Sequence, residues 1–118
     1  MRGKTVNRGR RDLLEVLREA RSLLARPGNN FDWSSWEDAE AALREVDGLI
    51  AAIELGKLPE RIAVSVLFAP TGPIQEVSIS SGWAKEFLDL ASRFDAAVEQ
   101  VYSLTLWRRL LRGRSSRA

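Results

Sequence analysis

The chain has 118 residues, of which 45% are hydrophobic and 29% are charged, and its formal net charge is +2. This length and composition are typical of one soluble globular domain and exclude a disordered chain or one with long apolar spans. The chain contains neither histidine nor cysteine, which removes the commonest general base, the Ser-His and Cys-His nucleophile pairs and the usual zinc ligands.

The basic residues are concentrated at the two ends of the chain. Residues 1–12 hold five Lys or Arg and one acid, residues 107–118 hold five arginines and no acid, and the segment between them is acidic. We therefore expect a basic, flexible N-terminal arm over residues 1–11, a single domain over 12–111 and a basic Arg/Ser tail over 112–118. Such ends either keep the chain soluble or contact an acidic partner.

Two amphipathic helices are predicted first in chain order. Apolar residues recur at helical spacing over about 12–26, up to Pro27, and over about 35–55, shortly before Pro59. Gly48 lies inside the second helix, where glycine costs about 1 kcal/mol relative to alanine. We therefore expect another helix to cross closely at Gly48.

The segment "RIAVSVLFAPTGPIQEVSIS", residues 61–80, is predicted to be a β-hairpin. β-Branched residues alternate with other residues on both sides of a Pro-Thr-Gly-Pro turn. Strands over about 61–69 and 74–81 would place Ile62, Val64 and Val66 on one apolar face. Because an isolated hairpin is marginal in water, that face should pack on the helices.

A third helix is predicted over about 82–111, where Trp83, Phe87, Leu90 and Phe94 begin an apolar stripe. Within it, residues 101–107, "VYSLTLW", suit either a helix or a strand, and we predict a helix. The predicted fold is therefore a single α+β domain in the order α-α-β-β-α, with a two-stranded antiparallel hairpin packed on three helices.

The junction before the third helix has some features of an anion site. Ser80, Ser81 and Gly82 would lie where a strand meets the free amides of a helix start, with Lys85 nearby. A phosphate loop carries more glycines or a basic residue beside those amides, so a structural cap is the preferred interpretation. No phosphate-loop, dinucleotide or nucleophile-elbow motif is present, and we expect no cofactor, no metal and no catalytic residue.

Tryptophan and arginine side chains are the candidates for binding a partner. An exposed tryptophan beside arginines can anchor a protein or stack on bases. The candidate partner-binding residues are Trp33, Trp107, Arg108, Arg109 and Arg112, and the candidate nucleic-acid contacts are Arg8, Arg10, Arg11 and Arg114.

The sequence predicts a small cytoplasmic protein-protein interaction module without catalytic activity. Self-association, in the simplest case as a homodimer, would use the open edge of the hairpin or the third helix. The alternative is a nucleic-acid-binding protein that uses its arginine-rich ends. A membrane partner is not expected, because the longest apolar runs are only a few residues.

Overall fold

The computed structural model describes the backbone of residues 2–115 and the side chains of residues 7–102. Over this part of the chain the fold is entirely helical. Five helices follow in chain order: α1 (Arg2–Leu24), α2 (Ala39–Glu54), α3 (Arg61–Phe68), α4 (Pro73–Ser81) and α5 (Ala84–Ser115). The predicted α+β class is therefore wrong, because the described backbone contains no strand.

The segment predicted as a hairpin forms the two short helices α3 and α4. The buried residues of α3 are Val64, Leu67 and Phe68, which follow the helical spacing of three and four rather than the strand spacing of two. Pro73 stands at the start of α4, where a proline needs no N–H partner and its fixed φ suits a helix. The Pro-Thr-Gly-Pro sequence is thus a break between two helices and not a hairpin turn.

The helical structure of this segment changes which apolar residues reach the core. Val64 and Val77 are fully buried, but Ile62, Val66 and Ile79, which the hairpin would have buried beside them, are exposed. The β-branched content of the segment favoured strands. Packing against neighbouring helices overrides so weak an intrinsic preference.

The core is built around the antiparallel pair α1 and α5. Gly9 of α1 lies against Val101 of α5, and Arg93 of α5 forms an ion pair with Glu19 further along α1. Residues of the two helices whose numbers sum to roughly 110 therefore lie at the same level. Because α1 begins at Arg2, most of the predicted N-terminal arm is part of this helix.

α2 packs on α1, also in an antiparallel direction. Arg18 Nη2 contacts Glu54 Oε2 at 2.6 Å, and the Asp38 side chain caps α2 by accepting a hydrogen bond from the Ala41 amide at 2.9 Å. The expected close crossing at Gly48 is absent, since no atom lies within 4 Å of where its Cβ would be. The glycine at a close helix crossing is Gly9 instead.

α3 and α4 also pack on α5. The Phe68 ring of α3 stacks on the Phe94 ring of α5, with centroids 4.2 Å apart. α5 is helical from residue 84 to residue 115, so the helix predicted over residues 101–107 is confirmed.

One stretch of the described chain, Arg61–Ser81, has the length and composition of a membrane-crossing helix, with a mean hydropathy of 1.3. In the fold this stretch is interrupted between Phe68 and Pro73. Helices in the core of soluble proteins share this length and composition.

Candidate interaction surface

A groove of about 360 Å³ separates α3 from α5 and ends at the start of α4. Phe68, Phe87, Phe94 and Val98 line it, and each of these side chains is almost completely buried. The groove therefore presents an apolar, largely aromatic floor to the outside. Aromatic floors of this kind receive the anchor side chains of protein partners.

Charged residues border this groove on both walls. Arg61 lies on the α3 wall, and Asp95 and Glu99 lie on the α5 wall. Arg61 Nη2 is 3.7 Å from Glu99 Oε2. Asp95, one turn before Glu99, makes no ion pair within the described part of the chain. The border thus carries the Arg61–Glu99 ion pair and one further negative group, Asp95, that a partner can contact.

Large apolar side chains on the three helices that line the groove remain open to solvent. Leu88 forms part of its border, Ile62 and Val66 follow Arg61 and Ser65 on α3, and Ile79 lies one turn beyond Gln75 on α4. Their exposed fractions are 77% for Ile62, 51% for Val66, 63% for Ile79 and 62% for Leu88. We call these four residues and the apolar floor of the groove the neutral face. Residues 62–75 carry no charged side chain, and the charges of Arg61, Asp95 and Glu99 lie on the border of this face.

The neutral face was not predicted from the sequence, because the prediction placed its α3 and α4 residues on the buried face of a hairpin. The available signal was the spacing of Val64, Leu67 and Phe68, which fits one helical face and leaves Ile62 and Val66 on another. A contiguous exposed apolar surface is informative in a way that one exposed apolar side chain is not.

Trp33, a predicted partner-binding residue, lies on the surface with 74% of its side chain exposed. The loop that carries it is fixed by Asn29, whose side-chain amide donates to the carbonyls of Leu23 at 2.8 Å and Leu24 at 3.1 Å. Asn29 Oδ1 also accepts a hydrogen bond of 2.9 Å from Trp83 Nε1. The loop therefore presents an exposed indole from a fixed backbone.

The predicted anion-site residues lie at a helix end rather than after a strand. Ser80 and Ser81 finish α4, and Gly82 follows with a left-handed φ of 84°, which glycine adopts without strain. Ser81 Oγ accepts a hydrogen bond of 2.9 Å from the backbone N–H of Asn30. Helix termination and loop attachment account for these residues, and Lys85 lies beyond them on α5.

A second cleft, of about 560 Å³, lies between the end of α1 and the start of α5. Charges of both signs surround it, including Glu19, Arg26, Lys85 and Asp89. Arg93 forms ion pairs with Glu19 and Asp89 beside it, and the hydrogen bond to Glu19 is the first cause of the raised pKa of Arg93. Leu23 and Leu90 give the cleft an apolar floor, but the charges around it have no consistent sign.

The predicted nucleic-acid contacts of α1 are within the described side chains. Arg8 and Arg11 are exposed and Arg10 is half-buried, with its Nε atom buried and without a partner. The remaining predicted residues, Trp107, Arg108, Arg109, Arg112 and Arg114, belong to the helical part of α5, and their side chains lie outside the described ones.

Tyr102 is the titratable group most perturbed within the described residues. Its hydroxyl donates a hydrogen bond of 2.7 Å to the Pro59 carbonyl, and burial, with a further contribution from Glu60, raises its pKa to about 12. This contact ties the segment before α3 to α5, which is a structural role.

Among the described residues, no group of three His, Cys, Asp or Glu side chains is placed to hold a metal ion. Comparison with protein-family models, with curated proteins and with solved structures gives no match for this chain.

Proposed function

We propose that the protein is a non-catalytic interaction module that self-associates through the neutral face. The observation that carries the proposal is the exposure of Ile62, Val66, Ile79 and Leu88 on the three helices that line a groove with an aromatic floor. Large apolar side chains exposed on neighbouring helices are typical of protein contacts. The predicted hairpin edge is replaced by this surface, and the predicted contribution of the third helix is retained in α5.

Burial of the exposed side chains of the neutral face would contribute free energy to association. Fully burying an isoleucine or leucine side chain stabilises by about 1.5–3 kcal/mol relative to leaving it exposed. Ile62 and Leu88 retain most of their surface in the single chain. In a symmetric dimer each residue is buried twice, once in each copy.

The occupant that fits the neutral face best is a second copy of the same chain. Arg61 and Asp95 stand on opposite walls of the groove, so the surface carries both members of a complementary pair. In a two-fold contact, residue i of one copy meets residue j of the other and the reverse. Arg61 of each copy can therefore meet Asp95 of the other, while the uncharged α3 surfaces come together.

Sedimentation velocity of the full chain over micromolar to submillimolar concentrations tests the proposal. Ile62→Lys should weaken self-association by at least about tenfold, because about 1.4 kcal/mol corresponds to a factor of ten. The matched control is Leu55→Lys, since Leu55 is also 77% exposed but ends α2, which packs chiefly on α1.

The proposal predicts a dimer for the wild type and the control, and a monomer for Ile62→Lys. A monomeric wild type across the whole range would refute self-association. An equal loss in both variants would show that the contact does not use the neutral face.

A further inference from the structure

The two arginine-rich ends of the chain lie at the same end of the molecule. α1 and α5 are antiparallel, with Gly9 of α1 against Val101 of α5. At this register Arg2 lies about level with Arg108, and α5 continues to Ser115. The seven further residues of α5 extend about 10 Å beyond the start of α1.

The two helix segments that meet at this end carry a single sign of charge. We define the basic pole as residues 2–11 of α1 together with residues 107–115 of α5. These two segments contain nine basic residues and no acidic one. At the opposite end of the same helix pair, acidic residues such as Glu19, Glu86 and Asp89 stand among Arg26 and Lys85. The asymmetry along the pair is therefore a property of the fold and not only of the chain ends.

Two of the three described arginines of the pole are available to an external anion. Arg8 and Arg11 are exposed, and their spacing of three places them on neighbouring positions of one face of α1. Neither of them makes an ion pair within the part of the chain that the structure describes. Bringing these charges close to the arginine-rich end of α5 is unfavourable through like-charge repulsion unless a polyanion neutralises them.

A nucleic-acid backbone fits the pole better than an anionic membrane does. Of the nine basic residues, eight are arginines, whose guanidinium groups bind phosphate oxygens in a bidentate manner. A helix that binds in a membrane interface needs an apolar face along its length. Within residues 2–11 of α1, Val6 is the only large apolar residue, so this half of the pole has no such face.

We infer that the basic pole is one composite site for the phosphate backbone of nucleic acid, formed jointly by the first turns of α1 and the last turns of α5. The site is separate from the neutral face, which belongs to α3, α4 and the first half of α5. Binding at the pole should therefore not depend on self-association.

Fluorescence anisotropy with a labelled DNA duplex and the full chain tests this inference at several salt concentrations. Arg8→Glu with Arg11→Glu changes the α1 half, and Arg109→Glu with Arg112→Glu changes the α5 half. The control is Arg26→Glu with Lys85→Glu, which makes the same change of charge at two exposed residues of the opposite end. Circular dichroism checks the helix content of each variant, and Arg8→Gln with Arg11→Gln repeats the test with a smaller charge change.

A composite site predicts that each pole variant lowers affinity by at least about tenfold and flattens the dependence of log K on log salt, because fewer counterions are released. The control should change affinity by less than about threefold, since distant exposed charges are screened at physiological salt. The neutral glutamine variant should fall between the wild type and the glutamate variant.

Three results would overturn the inference. The first is the absence of duplex binding at low salt, including the case in which the chain instead floats with vesicles containing anionic lipid. The second is a loss confined to one half of the pole, which would mean that the ends do not act together. The third is an equal loss in the control, which would mean that net charge alone drives binding.

Discussion

Replacing Gly9 with alanine should destabilise the protein, whereas the same replacement at Gly48 should stabilise it. Both glycines lie inside helices. A Cβ atom at position 9 would lie 2.7 Å from Val101 Cγ2 and 3.0 Å from Gln100 Cβ, while a Cβ at position 48 would have no atom within 4 Å. Both variants replace a glycine with alanine inside a helix, so only the surroundings of the added methyl group differ.

The magnitude follows from two opposing contributions. Alanine is favoured over glycine inside a helix by about 0.5–1 kcal/mol, and Gly48→Ala should gain about this amount. At Gly9 the same gain is opposed by overpacking, which typically costs about 1–3 kcal/mol. Val101 is fully buried, and a valine in a helix has essentially one side-chain rotamer. The neighbour cannot easily move aside, so the overpacking cost should exceed the helix gain.

Urea unfolding followed by the helical circular dichroism signal measures both variants against the wild type. The difference between their unfolding free energies isolates the overpacking contribution, expected at about 1–3 kcal/mol, with unchanged denaturant dependence. If Gly9→Ala gained as much stability as Gly48→Ala, α1 would not approach α5 at Gly9. The geometric basis of the basic pole would then be lost as well.

Two further predictions concern polar contacts of the fold. Asn29→Ala removes the hydrogen bonds to Leu23 and Leu24 and leaves the Trp83 indole N–H without its partner. Thermal unfolding should show that the free energy of unfolding falls by about 2–3 kcal/mol. A fall below the scatter of repeated measurements would contradict the role of Asn29 in holding the loop. The second prediction concerns Tyr102, whose pKa is raised to about 12 from an ordinary 10.0. The neutral Tyr102 side chain therefore contributes fully to the stability of the fold below pH 10, and this contribution is lost as the pH rises through about 12. As this is the only tyrosine in the chain, the phenolate absorbance should titrate near pH 12 in the folded protein and near 10 in urea; equal titration in both conditions would show that Tyr102 is not buried against Pro59.

The long helices could be predicted from the sequence because each buries one continuous stripe. Leu13, Leu17 and Leu24 of α1, and Phe87 and Phe94 of α5, fall on the core face as their spacing indicates. The boundaries were less accurate. α1 begins ten residues earlier than predicted, since polar residues such as Arg10 continue a helix that a neighbouring helix supports.

The helices α3 and α4 could not be predicted in the same way, because each is shorter than three turns. Over so few residues, a run such as Ile62 to Phe68 satisfies both the helical and the alternating pattern. Pro73 was the decisive residue, since it can begin a helix as well as flank a turn. Because Pro73 was assigned to a turn, both flanking segments were predicted to be strands instead of helices.

The candidate surfaces could be predicted to different degrees, because some depend on local sequence and others on how the helices pack. Trp33 was identified as a partner-binding candidate from its place before α2, and the structure leaves it exposed. The neutral face depends on which side of α3 reaches the core, and that is decided by packing against Phe94 on α5. The convergence of the two basic ends depends on the antiparallel register of α1 and α5, which no local pattern encodes.

The most direct test of the central claim is a concentration series of methyl and amide NMR spectra of the full chain. Self-association through the neutral face predicts that dilution shifts the resonances of Ile62, Val66 and Leu88 together, along one binding curve, while Leu55 and Gly48 stay constant. Shifts confined to α2 or to the Trp33 loop, or spectra that do not change with concentration, would contradict it.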